Sequence, residues 1–126
     1  MDRAIESYLA VACVVIGLSH LIRPREWVEF FVWLRGGGVA GVFANGMLSL
    51  TVGALIVGFH NVWSGAAIVI TLFGWIQVLK GAVCLLAPQK AMRSLDRVSF
   101  ERAHEFRTAG AVFVALGMFA GYLAWL

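Results

Sequence analysis

The sequence predicts an all-α membrane protein built from four transmembrane helices and two short helices in the cytoplasmic membrane interface. Hydrophobic residues make up 61% of the chain and charged residues 13%, with a mean hydropathy of +0.87. About 25% of an average soluble protein is charged. Four apolar stretches are long enough to cross a bilayer. The first and third end at Pro24 and Pro88, and each proline precedes a short amphipathic stretch.

The first predicted span covers residues 4–22. At about 1.5 Å of rise per residue it measures roughly 28 Å, close to the ~30 Å thickness of the hydrocarbon core of a bilayer. Proline cannot donate the backbone hydrogen bond of a helix interior, so this span is expected to end before Pro24. A short helix is then predicted over Arg25–Leu34, because proline is favoured at the start of a helix.

The aromatic residues of that short helix recur at helical spacing. Trp27, Phe30 and Phe31 share one side with Leu34, while the charged residues take the other side. An aromatic face with a charged back is typical of a helix that lies in the membrane interface. These three residues, together with Trp63 in a later turn, are the predicted interfacial anchors.

The next two spans are predicted to form an antiparallel hairpin. Three consecutive glycines at 36–38 let the chain turn sharply, because glycine tolerates positive φ, and a span then covers Val39–Phe59. A short turn, His60–Ser64, leads into a third span over Gly65–Ala87. Short connections place consecutive helices side by side in opposite directions.

The second surface helix and the last span follow Pro88. Residues 89–98 are predicted to form the surface helix, with apolar residues inward and basic residues outward. The fourth span is predicted from about Arg102 to the C-terminus. Ser99 is its predicted N-cap, because serine side chains accept hydrogen bonds from the first backbone N–H groups of a helix.

Internal similarity predicts a tandem repeat. Gly17 and Pro24 recur as Gly81 and Pro88, sixty-four residues later. The Leu-Arg-x-x-Gly pattern that opens the second span recurs as Phe-Arg-x-x-Gly at the start of the fourth, at an offset of 72. The second surface connection is therefore expected to contain about eight extra residues.

The predicted repeats are residues 4–59 and residues 63–126, within a single domain of residues 1–126. Each repeat consists of a helix, a surface helix and another helix, and so contains two spans. Because two is an even number, both repeats have the same orientation. A pseudo-twofold axis along the membrane normal is expected to relate these parallel repeats, as in some transporters.

The order of these motifs resembles the YjeT-like family of small bacterial inner-membrane proteins. The pattern is a helix, Pro-x-x-Trp, and then Leu-Arg-x-x-Gly opening a second helix. Its matches in this chain are Pro24, Trp27, Leu34, Arg35 and Gly38, and in the second half Pro88, Arg107 and Gly110, with Ala91 in place of the tryptophan. The resemblance covers most of the chain as two copies and implies an architecture rather than an activity.

Lysine and arginine are distributed unevenly between the two ends of the predicted bundle. The end with both termini has Arg3. The other nine of the ten lie on the side of the surface helices: Arg23, Arg25, Arg35, Lys80, Lys90, Arg93, Arg97, Arg102 and Arg107. The positive-inside rule predicts that this side is cytoplasmic. Both termini are then expected on the periplasmic side of a bacterial inner membrane.

The net charge of +3 and the pI near 9.3 do not indicate nucleic-acid binding, because the basic residues lie beside apolar spans. Anionic lipid headgroups on the cytoplasmic side are the predicted partners of these residues. Cys13 and Cys84 fall in apolar runs without the spacing of a metal or redox motif, which favours a packing role.

Polar residues within the spans define the candidate binding site, since placing polar groups in a membrane is costly. A basic, cytoplasm-facing pocket for an anionic headgroup or a small anion is predicted from His20, Asn45, Gln77, Lys80 and Arg107. Two plainer roles stay open. Lys80 is also explained by snorkelling of its side chain to the interface, and Asn45 and Gln77 by hydrogen bonds between helices.

The three histidines suggest a cofactor alternative. His20 and His104 are predicted on the cytoplasmic side and His60 at the opposite end, so the three cannot share a metal ion across about 30 Å of bilayer. His20 and His104 alone could act as paired axial ligands of a haem. The competing interpretation is that both are solvated interfacial residues, and no metal or cofactor is predicted.

The sequence contains no Ser-His-Asp set, phosphate-binding loop, paired buried carboxylates or His-Glu-x-x-His motif, so an enzyme is not predicted. The leading hypothesis is a small non-enzymatic inner-membrane protein that associates with itself as a homo-oligomer, with anionic lipid, or with a larger membrane complex. A homodimeric transporter of a small solute or lipid, lined by Asn45, Gln77 and Lys80, is the first alternative. A haem- or quinone-binding redox anchor is the second.

Overall fold

The structure is a computed structural model that describes residues 2–126, and within this range it is helical with no strand. Its elements are α1 (Asp2–Ile22), α2 (Pro24–Gly36), α3 (Val39–Phe59), α4 (Ile68–Leu86), α5 (Pro88–Asp96), a 3₁₀ turn (Phe100–Arg102) and α6 (Ala103–Trp125). The predicted all-α class is confirmed.

Four of these helices are long and apolar enough to cross a membrane. They cover Arg3–Ile22, Val39–Phe59, Ile68–Leu86 and Phe100–Trp125, the last including the 3₁₀ turn. They correspond one to one with the four predicted spans, and they are consistent with a membrane protein.

The two prolines separate the long helices from the short ones, as predicted. Each proline is itself the first residue of its short helix, Pro24 of α2 and Pro88 of α5. Proline is tolerated there because the first turn of a helix does not use its backbone N–H groups. Both short helices are therefore new helices, not kinked continuations.

Two predicted helix starts differ from the structure. Ser99 is not the N-cap of α6, because the 3₁₀ turn intervenes and Arg102 is the residue before the helix. Arg102 also pairs with Glu105 at 3.6 Å across the junction. The third long helix begins at Ile68 rather than Gly65, since Gly65 has a φ of 70°, outside the right-handed helical region.

The described residues form two compact units. Residues 1–28 and 100–126 form the first unit, where α1 packs along α6. Residues 29–99 form the second unit, where α3 packs along α4 and both contact α5. The predicted hairpin of the second and third spans is therefore confirmed, as α3 and α4.

Glycine allows α1 and α6 to approach closely in the first unit. A Cβ atom added to Gly17 would lie 2.7 Å from the carbonyl oxygen of Gly110, and one added to Gly117 would lie 2.8 Å from the backbone nitrogen of Val14. Real Cβ atoms do not approach backbone atoms this closely. Small residues at such positions let helix backbones come together in lipid.

The same kind of contact joins α3 and α4 in the second unit. A Cβ atom on Gly81 would lie 2.9 Å from the carbonyl oxygen of Gly46, and one on Gly53 would meet the backbone nitrogen of Val78. Each of these positions lies sixty-four residues from its counterpart in the first unit. The interface positions of both long helices in each repeat are thus related by a single offset of 64. The Leu-Arg-x-x-Gly match had predicted an offset of 72 for the second long helix.

Candidate functional site

One flank of the α3–α4 pair is marked by a buried cluster. Val42 of α3 and Cys84 of α4 pack together there with residues of α5. Residues three, four or seven positions apart lie on the same side of a helix. Asn45 and Ser49 follow Val42 by three and seven positions, so they continue this flank along α3. Ser49 is buried, with 6% of its surface exposed, and Asn45 is half-buried.

The facing helix supplies two more polar residues to the same flank. Gln77 and Lys80 precede Cys84 by seven and four positions along α4. Gln77 is half-buried and Lys80 is exposed. We call the set the polar flank, and it consists of Asn45, Ser49, Gln77 and Lys80.

The amphipathic helix α5 sits at one end of this flank. Its residues Ala91 and Leu95 are buried in the cluster with Val42 and Cys84, and Met92 packs beside them. The outer side of the helix carries three exposed basic residues, which are Lys90, Arg93 and Arg97. The apolar-inward and basic-outward pattern predicted for this helix is therefore present, with its apolar side packed on α3 and α4.

Arg35 fixes the end of α5. Its guanidinium donates hydrogen bonds to the carbonyl oxygens of Leu95 at 3.2 Å and Val98 at 2.9 Å. Carbonyls at the end of a helix have no partner within the helix, and a cation placed there also interacts favourably with the helix dipole. Arg35 thus has a structural role at the end of α5, whereas the sequence indicated it as an orienting basic residue and as part of the Leu-Arg-x-x-Gly motif.

His20 lies in an aromatic cluster of the first unit. Its ring stacks on Trp27 with the ring centroids 4.0 Å apart, and it also contacts Phe106 at 6.1 Å and Phe113 at 5.5 Å. Its Nδ1 lies 2.8 Å from the carbonyl oxygen of Ile16, which can only accept a hydrogen bond, so Nδ1 carries the proton. His20 is buried, and its ring is held from several sides.

The five residues of the predicted pocket are divided between the two units. Asn45, Gln77 and Lys80 belong to the second unit, where they share the polar flank. His20 and Arg107 belong to the first, with His20 in the aromatic cluster and Arg107 exposed on α6. The structure thus groups three of the five.

The two histidines of the haem alternative have different surroundings. His20 is buried in the aromatic cluster, whereas His104 is exposed in the first turn of α6. The carbonyl oxygen of His104 accepts a hydrogen bond from the Thr108 hydroxyl at 3.2 Å. Among residues 2–126, no group of three or more His, Cys, Asp or Glu side chains is placed to hold a metal ion.

The predicted aromatic anchors of α2 differ in exposure. Trp27 packs on His20 and donates a hydrogen bond to the Ser19 hydroxyl at 2.8 Å, and Phe31 packs against the buried cluster of the second unit. Phe30 is exposed and stacks on Trp33, which is 72% exposed. Trp33, which the sequence interpretation left out, is therefore the most exposed ring of α2.

Trp63 lies in the connection between α3 and α4 and is exposed. Its indole N–H donates to the side-chain oxygen of Asn61 at 3.0 Å, and the indole of Trp75 reaches the same oxygen at 3.4 Å. Its role as an interfacial anchor stays a prediction.

Thr71 organises that connection and was missed in the sequence. Its hydroxyl accepts a hydrogen bond from the N–H of Val62 at 3.0 Å and lies within bonding distance of the carbonyls of Val62 and His60. It also lies 3.2 Å from Nδ1 of His60, whose side chain is fully buried. A threonine within an apolar helix gives no indication of such a role, because its partners come from the preceding turn.

No family model, curated protein or solved structure matches the chain. The resemblance to the YjeT-like proteins stays a prediction.

Proposed function

We propose that the chain is a small, non-enzymatic integral protein of the bacterial inner membrane that acts by association. Its principal binding surface is the outer side of α5, which takes anionic lipid headgroups. Association with further copies of the chain, or with a larger membrane complex, would build on this lipid-bound state.

The packing of α5 is the observation that carries the proposal. Ala91 and Leu95 fill its inner side, while Lys90, Arg93 and Arg97 stay exposed. A basic side chain near an anionic membrane surface contributes about 1 kcal/mol to binding. An amphipathic helix whose apolar side is already used by the protein has only its basic side left to bind with.

The charge distribution supports the orientation in this proposal. The basic residues lie near the ends of the long helices at which α2 and α5 begin. The positive-inside rule assigns that side to the cytoplasm. The termini are then periplasmic. In this arrangement α2 and α5 are interfacial helices on the cytoplasmic side, where anionic lipids are available.

The recurring glycine contacts support the tandem repeat. The approach of Gly17 to Gly110 recurs as the approach of Gly81 to Gly46, at the offset of 64. In each pair, the first long helix of one repeat packs against the second long helix of the other. Each repeat would therefore pack both of its long helices against the other repeat, as two subunits do in an interlocked dimer.

The proposal is tested by exchanging the basic residues of α5. In the full-length protein, Lys90→Gln, Arg93→Gln and Arg97→Gln are combined, and lipid retained after mild detergent extraction is measured by native mass spectrometry. The matched control keeps the charge, with Lys90→Arg, Arg93→Lys and Arg97→Lys. We expect the neutral triple variant to lose at least tenfold in apparent affinity for phosphatidylglycerol, and the control to stay within twofold. Equal lipid retention in both variants would contradict the proposal.

A transporter of a small solute or lipid is the second candidate, because Asn45, Gln77 and Lys80 share one flank of the second unit. Uptake and export in reconstituted vesicles test it. Combined Gln77→Leu and Lys80→Met substitutions are expected to abolish transport if that flank lines the path. Unchanged transport in this variant would remove the candidate.

A further inference from the structure

Lys80 places an ammonium group on an apolar helix, away from its end. It is exposed and lies six residues before Leu86, the last residue of α4. By helix rise its Cα is about 9 Å from that end. A charged side chain at such a depth is costly in a membrane and is normally matched by a counter-charge or by the interface.

The polar flank around Lys80 is not needed to pack the helices. At the offset of 64, the counterparts of its members on the α1–α6 pair are all apolar, and they are Ala109, Phe113, Cys13 and Ile16. Both pairs nevertheless make the same glycine contacts. Since the α1–α6 pair forms this interface with apolar residues at these four positions, the polar residues of the α3–α4 pair have a different use.

The position of α5 indicates the direction from which a ligand comes. Its buried residues Ala91 and Leu95 lie on the cluster that marks the flank, and its exposed side is basic. The polar flank therefore begins next to the basic helix α5 and extends from there along the α3–α4 pair. A lysine side chain reaches toward the interface along such a path.

The two long helices of the second unit offer Lys80 no counter-charge. Neither α3 nor α4 contains an acidic residue, and Glu29 and Asp96 of this unit lie on the short helices. A second copy of the chain that met this one through its own α3–α4 pair would thus bring another lysine, not a carboxylate, to Lys80.

We propose that the polar flank binds the phosphate group of one membrane phospholipid. The ammonium of Lys80 pairs with the phosphate, the amide groups of Gln77 and Asn45 donate hydrogen bonds to its oxygens, and the acyl chains lie along the apolar surface of the pair. This inference rests on the proposed association with lipid and names a specific site within it. The site is separate from the outer side of α5.

The test is native mass spectrometry of the full-length protein from nanodiscs of phosphatidylglycerol and phosphatidylcholine, followed by stepwise delipidation. The variants are Lys80→Met, which keeps the length of the side chain, Lys80→Arg, which keeps its charge, and Arg3→Met as the control, because Arg3 is exposed and lies outside both proposed lipid sites. Circular dichroism and a monodisperse elution profile establish that each variant is folded.

We expect the wild-type protein and Lys80→Arg to retain one phospholipid after the others have been removed. Lys80→Met should weaken this retention at least tenfold, and Arg3→Met should change it less than twofold. Retention by Lys80→Met equal to that of the wild type would overturn the site, even if the α5 variants had confirmed lipid association. If the α5 variants have no effect but Lys80→Met does, the site stands and the surface proposal fails.

A second measurement separates the lipid from other sources of negative charge. Inorganic phosphate is titrated into delipidated protein and followed by phosphorus NMR line broadening, with Lys80→Met as the reference. We expect no Lys80-dependent broadening at millimolar phosphate, because the acyl chains contribute to binding. Lys80-dependent binding of inorganic phosphate, or a co-purified transmembrane protein in place of the lipid, would overturn the assignment to a phospholipid.

Discussion

The two helix pairs share one pattern of close contacts and differ in what surrounds it. On α1 and α6, the glycines are flanked by a cluster of rings, with His20 between Trp27, Phe106 and Phe113. In the second unit, the counterparts at the offset of 64 are Val42 and Ser49 of α3, Cys84 of α4 and Ala91 of α5. The same interface is thus built once with aromatic residues and once with small ones.

This difference shows which residues set the helix pairing. In both pairs the glycines bring the helix backbones into close contact. Any side chain added at these positions would push the helices apart, so the glycines set the distance between them. The flanking side chains only fill the space that remains. One flank is filled by rings, while the other has room for polar residues and for the apolar side of α5.

Replacement of Trp27 should cause the largest loss of stability in the α1–α6 pair. Trp27→Ala deletes the ring that stacks on His20 and the hydrogen bond to Ser19. Replacing a fully buried tryptophan by alanine costs about 3–5 kcal/mol; because Trp27 is half-buried, we expect a loss of about 3 kcal/mol, at the lower end of this range, in the free energy of unfolding. Titration with sodium dodecyl sulfate in mixed micelles, followed by far-ultraviolet circular dichroism, measures it.

The matched control is Trp33→Ala on the same helix. Trp33 is 72% exposed, and its substitution should change the free energy of unfolding by less than about 0.5 kcal/mol in micelles. If both tryptophan variants lost the same stability, the aromatic cluster would not hold α2 to α1.

Substitution of the contacting glycines should affect both pairs alike. Gly17→Ala and Gly81→Ala each place a methyl group against a backbone carbonyl, at 2.7 Å and 2.9 Å. Forcing extra volume into a packed interface costs about 1–3 kcal/mol. We expect the two losses, measured by the same titration, to agree within about 1 kcal/mol.

Gly58 provides the control for these variants. A Cβ atom there meets nothing within 4 Å, so Gly58→Ala should be neutral or stabilise α3 by up to about 1 kcal/mol, because alanine favours the helix. A destabilised Gly58→Ala variant would attribute the effect of the other two to helix propensity or lipid contact instead of packing.

The attachment of α5 by Arg35 is not repeated at the offset of 64, where the residue is Ser99 and has no guanidinium. Arg35→Gln removes the hydrogen bonds to the carbonyls of Leu95 and Val98. We expect the free energy of local opening of α5 to fall by about 1 kcal/mol, because a typical intramolecular hydrogen bond contributes about that much. Faster hydrogen exchange of the α5 amides measures it.

Arg93→Gln, on the exposed side of α5, is the control for that experiment. It removes a charge from the same helix without touching a carbonyl of its end, so the exchange rates should stay as in the wild type. Equal acceleration in the two variants would mean that net charge, and not the bonds of Arg35, holds α5.

Composition, prolines and helical spacing were sufficient to predict the four long helices and the two short ones. They could not predict which helices pack together, because the lipid-facing and protein-facing sides of a membrane helix are equally apolar. The pairing of α1 with α6 and the offset of 64 at the interface required the backbone contacts of Gly17, Gly46, Gly81 and Gly110. The Leu-Arg-x-x-Gly match pointed elsewhere, since Arg35 serves α5 and not the helix pair.

The candidate site was predictable only in part. Lys80, Gln77 and Asn45 were singled out because polar groups are costly in a membrane, and helical spacing relates them to Val42 and Cys84 of the buried cluster. His20 was grouped with them on the same argument, although aromatic rings already surround it. The surroundings of a side chain depend on which helix packs beside it, and the sequence does not specify that partner.

Oxidative cross-linking in native membranes tests the shared interface most directly. In a protein with Cys13→Ala and Cys84→Ala, Ala10→Cys is combined with Gly121→Cys, whose Cβ atoms would lie 3.5 Å apart, within the range of a disulfide. The counterpart at the offset of 64 is Gly74→Cys with Val57→Cys, where a Cβ atom on Gly74 would lie 3.4 Å from Cγ2 of Val57 and 2.8 Å from Cβ of Ile56, so a small shift of Ile56 accompanies this disulfide. We predict that both pairs form an intramolecular disulfide, while Ala10→Cys with Met118→Cys, which is exposed on α6, does not. If only one of the two counterpart pairs cross-linked, or if the products were dimers, the two helix pairs would not share one interface.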